Sequence, residues 1–486
     1  MTASWAVGHE NGRHVLLERG EVVFENGEIV FVGHNFPGEV ARRVDCGHAL
    51  LGPGFVDLDA LADLDTTILA FDNQPAWRKG RVWPRSYLEA GPREMYSREQ
   101  LAFQKRHAFA TLIRNGITTA LPISSLFYRA WGETPDEFAN AAEAAAALGL
   151  RVYLGPAYRT GNQVVEADGR ITVHYDETRG LAELDAAIRF CERFEGEALG
   201  LVRTMLAPDR IETCTPELLR RTGEAARRLD VPLRQHCCQS KTEYDLVLAQ
   251  HGMSPPELLE QCRVFTDKTL LPHGTYVSGS RHVERPGRDL EIIREHGATI
   301  VHCPLVSGRH GNAIDHFGRY RDMGIRLGLG TDTSPPDMIG NMQLGVILAR
   351  VMAGSATAVR AADLYDAATT GGADAIGRPD LGRLKPGARA DLVAIELDRP
   401  HSGQVIDPIQ TLLLTGHGRD VAHVVIDGRF VMEDRAIPGV DEAADNARAQ
   451  VQFEELMAQY PERTFGHPPV EEIFSASYSV RRGPSA

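Results

Sequence analysis

The sequence predicts an α/β fold, a (β/α)8 TIM barrel with a small β-sandwich domain built from both ends of the chain. Three observations predict it. Eight short apolar runs alternate with longer segments of helical period through the middle of the chain, the pattern of repeated βα units around a parallel sheet. Hairpin patterns recur near both termini. The length of 486 residues holds a barrel of about 250 residues with insertions and an appended domain.

In chain order, Val22-Val23-Phe24, the Asn26-Gly27 turn and Ile29 to Val32 read as a β-hairpin. The strand candidates that follow begin at Gly54, Ile117, Val152, Leu201, Val231, Thr269, Thr299 and Arg326. Helical periodicity fills Asp136 to Leu148, Thr215 to Leu229 and Arg288 to His296. Ala390 to Ile395, His423 to Ile426, the Asp427-Gly428 turn and Arg429 to Val431 return to short strands. The expected division is 1–53 for the first part of the sandwich, 54–375 for the barrel, 376–435 for the second part, and 436–486 for a helix and tail. An open doubly wound sheet is the alternative, but no G-x-G-x-x-G follows a strand and no P-loop occurs.

A chain 43% apolar and 24% charged can bury a core, which excludes disorder and collagen. Its net charge of −14 argues against a nucleic-acid or anionic-membrane partner, since phosphate binding draws on clustered Lys and Arg. The N-terminus lacks the apolar stretch of a signal peptide and no run is long enough to span a bilayer, so a soluble cytoplasmic protein is expected. Seven scattered cysteines without C-x-x-C spacing read as buried reduced thiols.

One connection is much longer than the rest. Ala62 to about Ser97 carries Phe71, Trp77, Trp83, Tyr87 and Tyr96, the composition of a binding loop or lid; Trp77 and Trp83 are the expected substrate contacts.

A barrel presents its chemistry at the C-terminal ends of its strands. The last four strand candidates end at His236, His273, His302 and Asp332, spaced by 37, 29 and 30 residues, close to one βα unit each. Imidazole and carboxylate are the ligand types for Zn²⁺ or Fe²⁺.

The motifs Pro53-Gly54-Phe55-Val56-Asp57, Asn115-Gly116-Ile117-Thr118-Thr119, Pro272-His273-Gly274, His302-Cys303-Pro304 and Gly330-Thr331-Asp332 follow one another in this order. With the run from Gly382 to Val393, they resemble the amidohydrolase superfamily. The closest branch is the one of chlorotriazine hydrolases, cytosine and guanine deaminases and adenosylhomocysteine deaminases. The resemblance covers about residues 20 to 435. It implies that His236 and Asp332 are metal ligands, that Asp332 also accepts the proton of the attacking water, and that His273 orients that water or polarises the substrate. It also implies a homodimer or homotetramer.

Two departures stand out. The family's His-x-His after the first strand reads Asp59-Ala60-Leu61, and Leu61 has no donor. The family's His-x-x-Glu reads His236-Cys237-Cys238-Gln239, and an amide cannot shuttle a proton. Asp59, His236, His273 and Asp332 then form the expected metal set, a more oxygen-rich one than usual that favours a harder ion. One divalent ion, Zn or Fe, and a metal-free set of His236, His273 and Asp332 both remain open, His–Asp pairing being enough for acid–base chemistry. Glu243, four residues past Gln239, reads as a solvated helix charge, with replacement of the missing acid–base group as the alternative. Gln239, His302 and Arg309, the last in Ser307-Gly308-Arg309-His310-Gly311, are expected to touch substrate; Asp337 and Asn341 orient substrate or cap a helix.

The expectation is a hydrolase that breaks a C–N or related C–X bond of a small cyclic or heteroaromatic compound by deamination or dechlorination. The alternatives are a metal-independent lyase or isomerase on the same barrel, and a catalytically silent binding protein.

Overall fold

The computed structural model describes residues 1–64, 82–91, 93–123, 129–315 and 317–481. Eight parallel strands follow in sequence: Phe55–Leu61, Ile117–Ile123, Arg151–Leu154, Val202–Thr204, Leu233–Arg234, Thr269–Pro272, Thr299–His302 and Arg326–Leu329. Each of the eight apolar runs read from the sequence contains or overlaps one of them. The first four and the last four form two parallel sheets. A bridge between Leu206 and Leu233 joins strand four to strand five.

Closure between strands eight and one uses side chains as well as backbone. Asp57 accepts hydrogen bonds from the Thr331 amide (3.0 Å) and hydroxyl (2.6 Å). The Asp332 amide donates to the Asp59 carbonyl at 2.8 Å. Gly328 lets strands eight and one approach closely, since a Cβ there would lie 2.4 Å from the Leu58 side chain.

The helices start where their caps dictate. Thr134 and Thr215 accept from the amides of Glu137 and Leu218 and open Pro135–Leu148 and Pro216–Leu229, each with proline in the first turn. Asp337 caps Met338–Ala353 and also accepts from the Gly418 amide, so it fastens a helix and does not face substrate. Asn341 bonds Leu305 and Asp337 in the same way.

Both chain ends build one six-stranded sheet, in the order Arg429–Met432, Val421–Ile426, Leu392–Glu396, Ala49–Pro53, Trp5–Glu10, Arg13–Glu18. The hairpin Glu21–Glu25/Glu28–Gly33 lies beside it and turns through Asn26 and Gly27, both at positive φ as a two-residue type I′ turn requires. A second such turn, Asn11-Gly12, joins Trp5–Glu10 to Arg13–Glu18 and was not read from the sequence. Arg151 at the foot of the barrel makes a buried two-pronged bond to Asp391 of the sheet, at 2.9 and 3.1 Å.

The hairpin Gly161–Val165/Ile171–Tyr175 is an insertion after strand three that the sequence reading also missed. It pairs with Trp83–Pro84, so the long connection after strand one has structure of its own, including the helix Arg85–Glu89. Helix Glu442–Arg463 packs on the first barrel helix, Arg98–Arg114: Arg448 bonds Glu99 at 3.0 Å and lies 4.2 Å over the Phe103 ring. Among the described residues no helix is long and apolar enough to cross a membrane. The seven cysteines are free thiols, all but Cys46 buried.

Candidate active site

Three strand ends aim side chains at one place above the barrel axis. A parallel bridge sets Arg210, in the segment that follows strand four, beside His236, and another sets Cys237 beside His273. Cys238, His273 and Asp332 leave their strands at φ of 63°, 79° and 44°. That left-handed conformation is costly for residues with a Cβ and is kept where surrounding structure imposes it, typically at functional sites.

His236 Nε2 lies 3.6 Å from Asp59 Oδ2, and His273 Nε2 lies 3.7 Å from Asp332 Oδ2. The two imidazole rings are 5.4 Å apart. Donor atoms of Asp59, His236 and His273 fall within 4.8 Å of one another, as do those of His273, Cys303 and Asp332. Asp59 is fully buried and His273 is 2% exposed.

Burial alone would raise the Asp59 carboxyl, but His236, Arg234 and His273 hold it down to about 2. Burial, helped by the nearby His236, lowers His273 to about 3, so its imidazole is neutral at pH 7 and its nitrogen lone pair is available. Asp57, one turn of the pleat below, is pushed up to about 6 by burial.

Arg234 is the unannounced member of the site. It projects from strand five across the barrel, 1% exposed, bonds the carbonyl of Leu121, and places Nη1 3.3 Å from Asp59 Oδ1. One oxygen of Asp59 therefore faces a guanidinium while the other faces His236. A carboxylate and a guanidinium together carry no net charge, so the pair resembles the neutral imidazole expected at position 59 by family likeness. An apolar neighbourhood with a lone Arg was the only sequence sign, and it is ambiguous without knowing which way the strand faces.

The residues present fit a divalent cation. His273 Nε2 is buried without a hydrogen-bond partner among the described residues, and Asp59 turns Oδ2 toward His236 Nε2 at 3.6 Å. Two imidazoles and two carboxylates are hard-to-borderline donors of the kind zinc accepts.

A model described as the amidohydrolase family matches residues 59–431. The chain belongs to the amidohydrolase family. It is 28% identical over 441 residues to a 5-methylthioadenosine/S-adenosylhomocysteine deaminase of Natronomonas pharaonis, covering 90% of this chain and 93% of the relative. It is 27% identical to a 5'-deoxyadenosine deaminase of Methanosarcina acetivorans, covering 91% and 95%. Its fold is shared with an adenosine deaminase of Xanthomonas campestris with bound zinc, at TM-score 0.75 and 22% identity over 94% of this chain and 97% of that one. It is shared too with an atrazine chlorohydrolase of Arthrobacter aurescens complexed with zinc, at TM-score 0.73 and 22% identity over 93% and 98%. These likenesses bear out the barrel-plus-sandwich expectation for this amidohydrolase.

The remaining expected substrate contacts fare differently in the amidohydrolase barrel. His302 points outward, its ring 5.9 Å from Phe317 on the helix Phe317–Asp322, because strand alternation sends Val301 and Cys303 inward instead. Arg309 is spent on the loop after strand eight, where Nη1 donates to the Thr333 hydroxyl (2.8 Å) and the Ser334 carbonyl (2.7 Å). Trp83 is 5% exposed, stacked on Tyr87 at 5.1 Å and covered by Arg463 at 3.7 Å, so its ring serves the packing of the C-terminal helix. Trp77, like Phe71, lies outside the described residues.

Gln239 stays at the partly exposed end of strand five. Glu243 is not a solvated charge: it is 1% exposed, accepts from the amides of Cys238 and Gln239, and is raised to about 8 by burial and by Glu212. Sequence spacing four residues past Gln239 gave no hint that the helix would turn it back onto the strand end.

Proposed function

We propose that this amidohydrolase removes the exocyclic amino group of an adenosine-like compound by hydrolysis, using Asp332 and His273 for proton handling and charge stabilisation. The observation that carries this reading is the meeting of His236, His273, Asp59 and Asp332 at the C-terminal edge of the barrel. The substrate class comes from the relatives described as deaminases of adenosine derivatives.

Asp59, His236, His273 and Asp332 would hold a zinc ion, which when bound polarises the carbon under attack and makes water nucleophilic near neutral pH. Asp332 Oδ2, beside His273, takes the proton of the attacking water and returns it to the departing amine. His273, neutral and buried, keeps its Nε2 lone pair free and so would be a neutral donor to that ion, beside the carboxylate of Asp332. Gln239 holds the substrate by its amide without carrying a proton. The reading includes a small-molecule substrate and a homo-oligomer, neither of which requires a basic surface.

The Arg234–Asp59 pair favours a second reading, in which the fixed guanidinium supplies the positive charge and a His–Asp set performs a non-hydrolytic proton transfer. Ammonia release from adenosine, 5'-methylthioadenosine and S-adenosylhomocysteine separates them. Hydrolysis predicts stoichiometric ammonia that is lost on chelation and returns with zinc. Absence of ammonia from all three with zinc supplied would overturn the deaminase reading; undiminished turnover after metal removal would establish the second.

A further inference from the structure

We propose that the Cys303 thiol is a ligand of the active-site ion, taking the coordination role that Leu61 leaves vacant. The proposal rests on the metal-dependent reading above and adds a donor that neither family likeness nor motif spacing assigns.

Cys303 sits one residue past the end of strand seven, fully buried, with Sγ 3.7 Å from Asp59 Oδ2. Donor atoms bonded to one zinc ion at about 2.0–2.3 Å stand roughly 3.5 Å apart, so this spacing is that of two ligands on a common ion. The two donor groups, Asp59/His236/His273 and His273/Cys303/Asp332, share His273 and are joined by the Asp59–Cys303 contact.

His273 supplies an independent pointer. Its Nε2 is buried, lacks a hydrogen-bond partner among the described residues, and belongs to both groups. Position 330 supplies another. A Cβ on Gly330 would lie 2.5 Å from the Asp59 Cβ and 3.1 Å from Cys303 Sγ, so only glycine lets strand eight pass while these two donors approach each other.

Leu61 offers no donor and is buried, as is Cys303, in one apolar cluster with Leu58 and Val301, so the thiol beside Asp59 is a donor held in otherwise apolar surroundings. Binding involves no oxidation: Cys303 releases its S–H proton to solvent and a sulfur lone pair forms the bond to the ion. A soft sulfur donor shifts preference toward zinc and away from the harder ions that an all-oxygen replacement would favour.

Cobalt(II) reads this directly. Full-length protein stripped with a chelator and titrated with cobalt should take up one equivalent and show a near-ultraviolet thiolate-to-cobalt charge-transfer band. Cys303→Ser should abolish that band and weaken zinc affinity, measured by competition with a chromophoric chelator, by more than the roughly tenfold that even outer contacts cost. Cys237→Ser and Cys238→Ser, controls for the neighbouring buried Cys237/Cys238/Glu243 group, should keep the band. Stoichiometric cobalt without the band, or a band that survives in Cys303→Ser, overturns the Cys303 assignment and leaves the metal-dependent reading standing. Failure to bind cobalt or zinc stoichiometrically overturns that reading as well. If Cys303→Ser does not fold, zinc-edge X-ray absorption of the unaltered protein decides: a single sulfur neighbour supports the assignment, and none or two overturn it.

Discussion

Asp59 keeps its charge inside the barrel because Arg234 and His236 flank its two oxygens. Replacing Arg234 with methionine preserves volume but leaves that carboxylate without its fixed counter-charge. Breaking a buried pair on one side costs about 3–5 kcal/mol, so Arg234→Met should lower the urea unfolding midpoint by a corresponding amount. The role proposed for Asp332 is in the reaction and not in the fold. Asp332→Asn keeps the shape of the side chain and removes its basicity, so kcat for deamination should fall by about 10²–10⁴-fold while the unfolding midpoint hardly moves. An equal loss of both would assign Asp332 a structural role instead. His273 and His236 were legible as strand-end imidazoles from their spacing. Arg234 and Cys303 were not, since a buried Arg and a reduced thiol have no sequence mark that tells inward from outward, and Glu243 was singled out by its spacing but not its burial.

Alternation along single strands decides which of two neighbours reaches the site. In Thr299–His302 and the residue after it, His302 lies against Phe317 while Cys303 faces Asp59. His302 consequently pays a desolvation cost for charging that no partner relieves, and burial lowers it to about 3. The folded state binds its proton later than the unfolded state, whose histidine titrates near 6.5. Stability from the neutral ring is therefore complete above about pH 6.5 and is lost as pH falls toward 3. His302→Leu should abolish this loss: relative to its effect at pH 7.5, the variant gains about 2 kcal/mol at pH 5 by chemical denaturation. An unchanged difference between the two pH values would show that His302 is not held neutral.

The barrel and the terminal sheet meet through a few buried polar contacts as well as apolar ones. Arg151 and Asp391, 4% and 2% exposed in their side chains, join the start of strand three to the segment entering the sheet's Leu392–Glu396. Arg151→Ala leaves Asp391 buried with little compensation and should cost about 3–5 kcal/mol, seen as a lowered midpoint in urea. A variant as stable as the parent would show that the apolar sheet–barrel contacts suffice. The packing of Glu442–Arg463 on the first barrel helix extends the same assembly around the mouth, where Arg463 covers Trp83.

Period and punctuation in the chain were enough to determine the eight-strand barrel, the return of the C-terminal strands beside the N-terminal ones, and the spacing of His236, His273 and Asp332. Those features depend on residue type repeated at fixed intervals, and the backbone has few ways to satisfy such a pattern. Which side chains look inward at the strand ends was settled by three-dimensional packing. Bulges in strand one, the left-handed exits at Cys238, His273 and Asp332, and the closure of strand eight on strand one rotate individual residues by half a pleat or more. Plain alternation in strand seven puts Cys303 and not His302 at the site, and pairing with the inserted hairpin together with cover from Arg463 makes Trp83 a packing residue, without altering the periodicity from which the barrel was read.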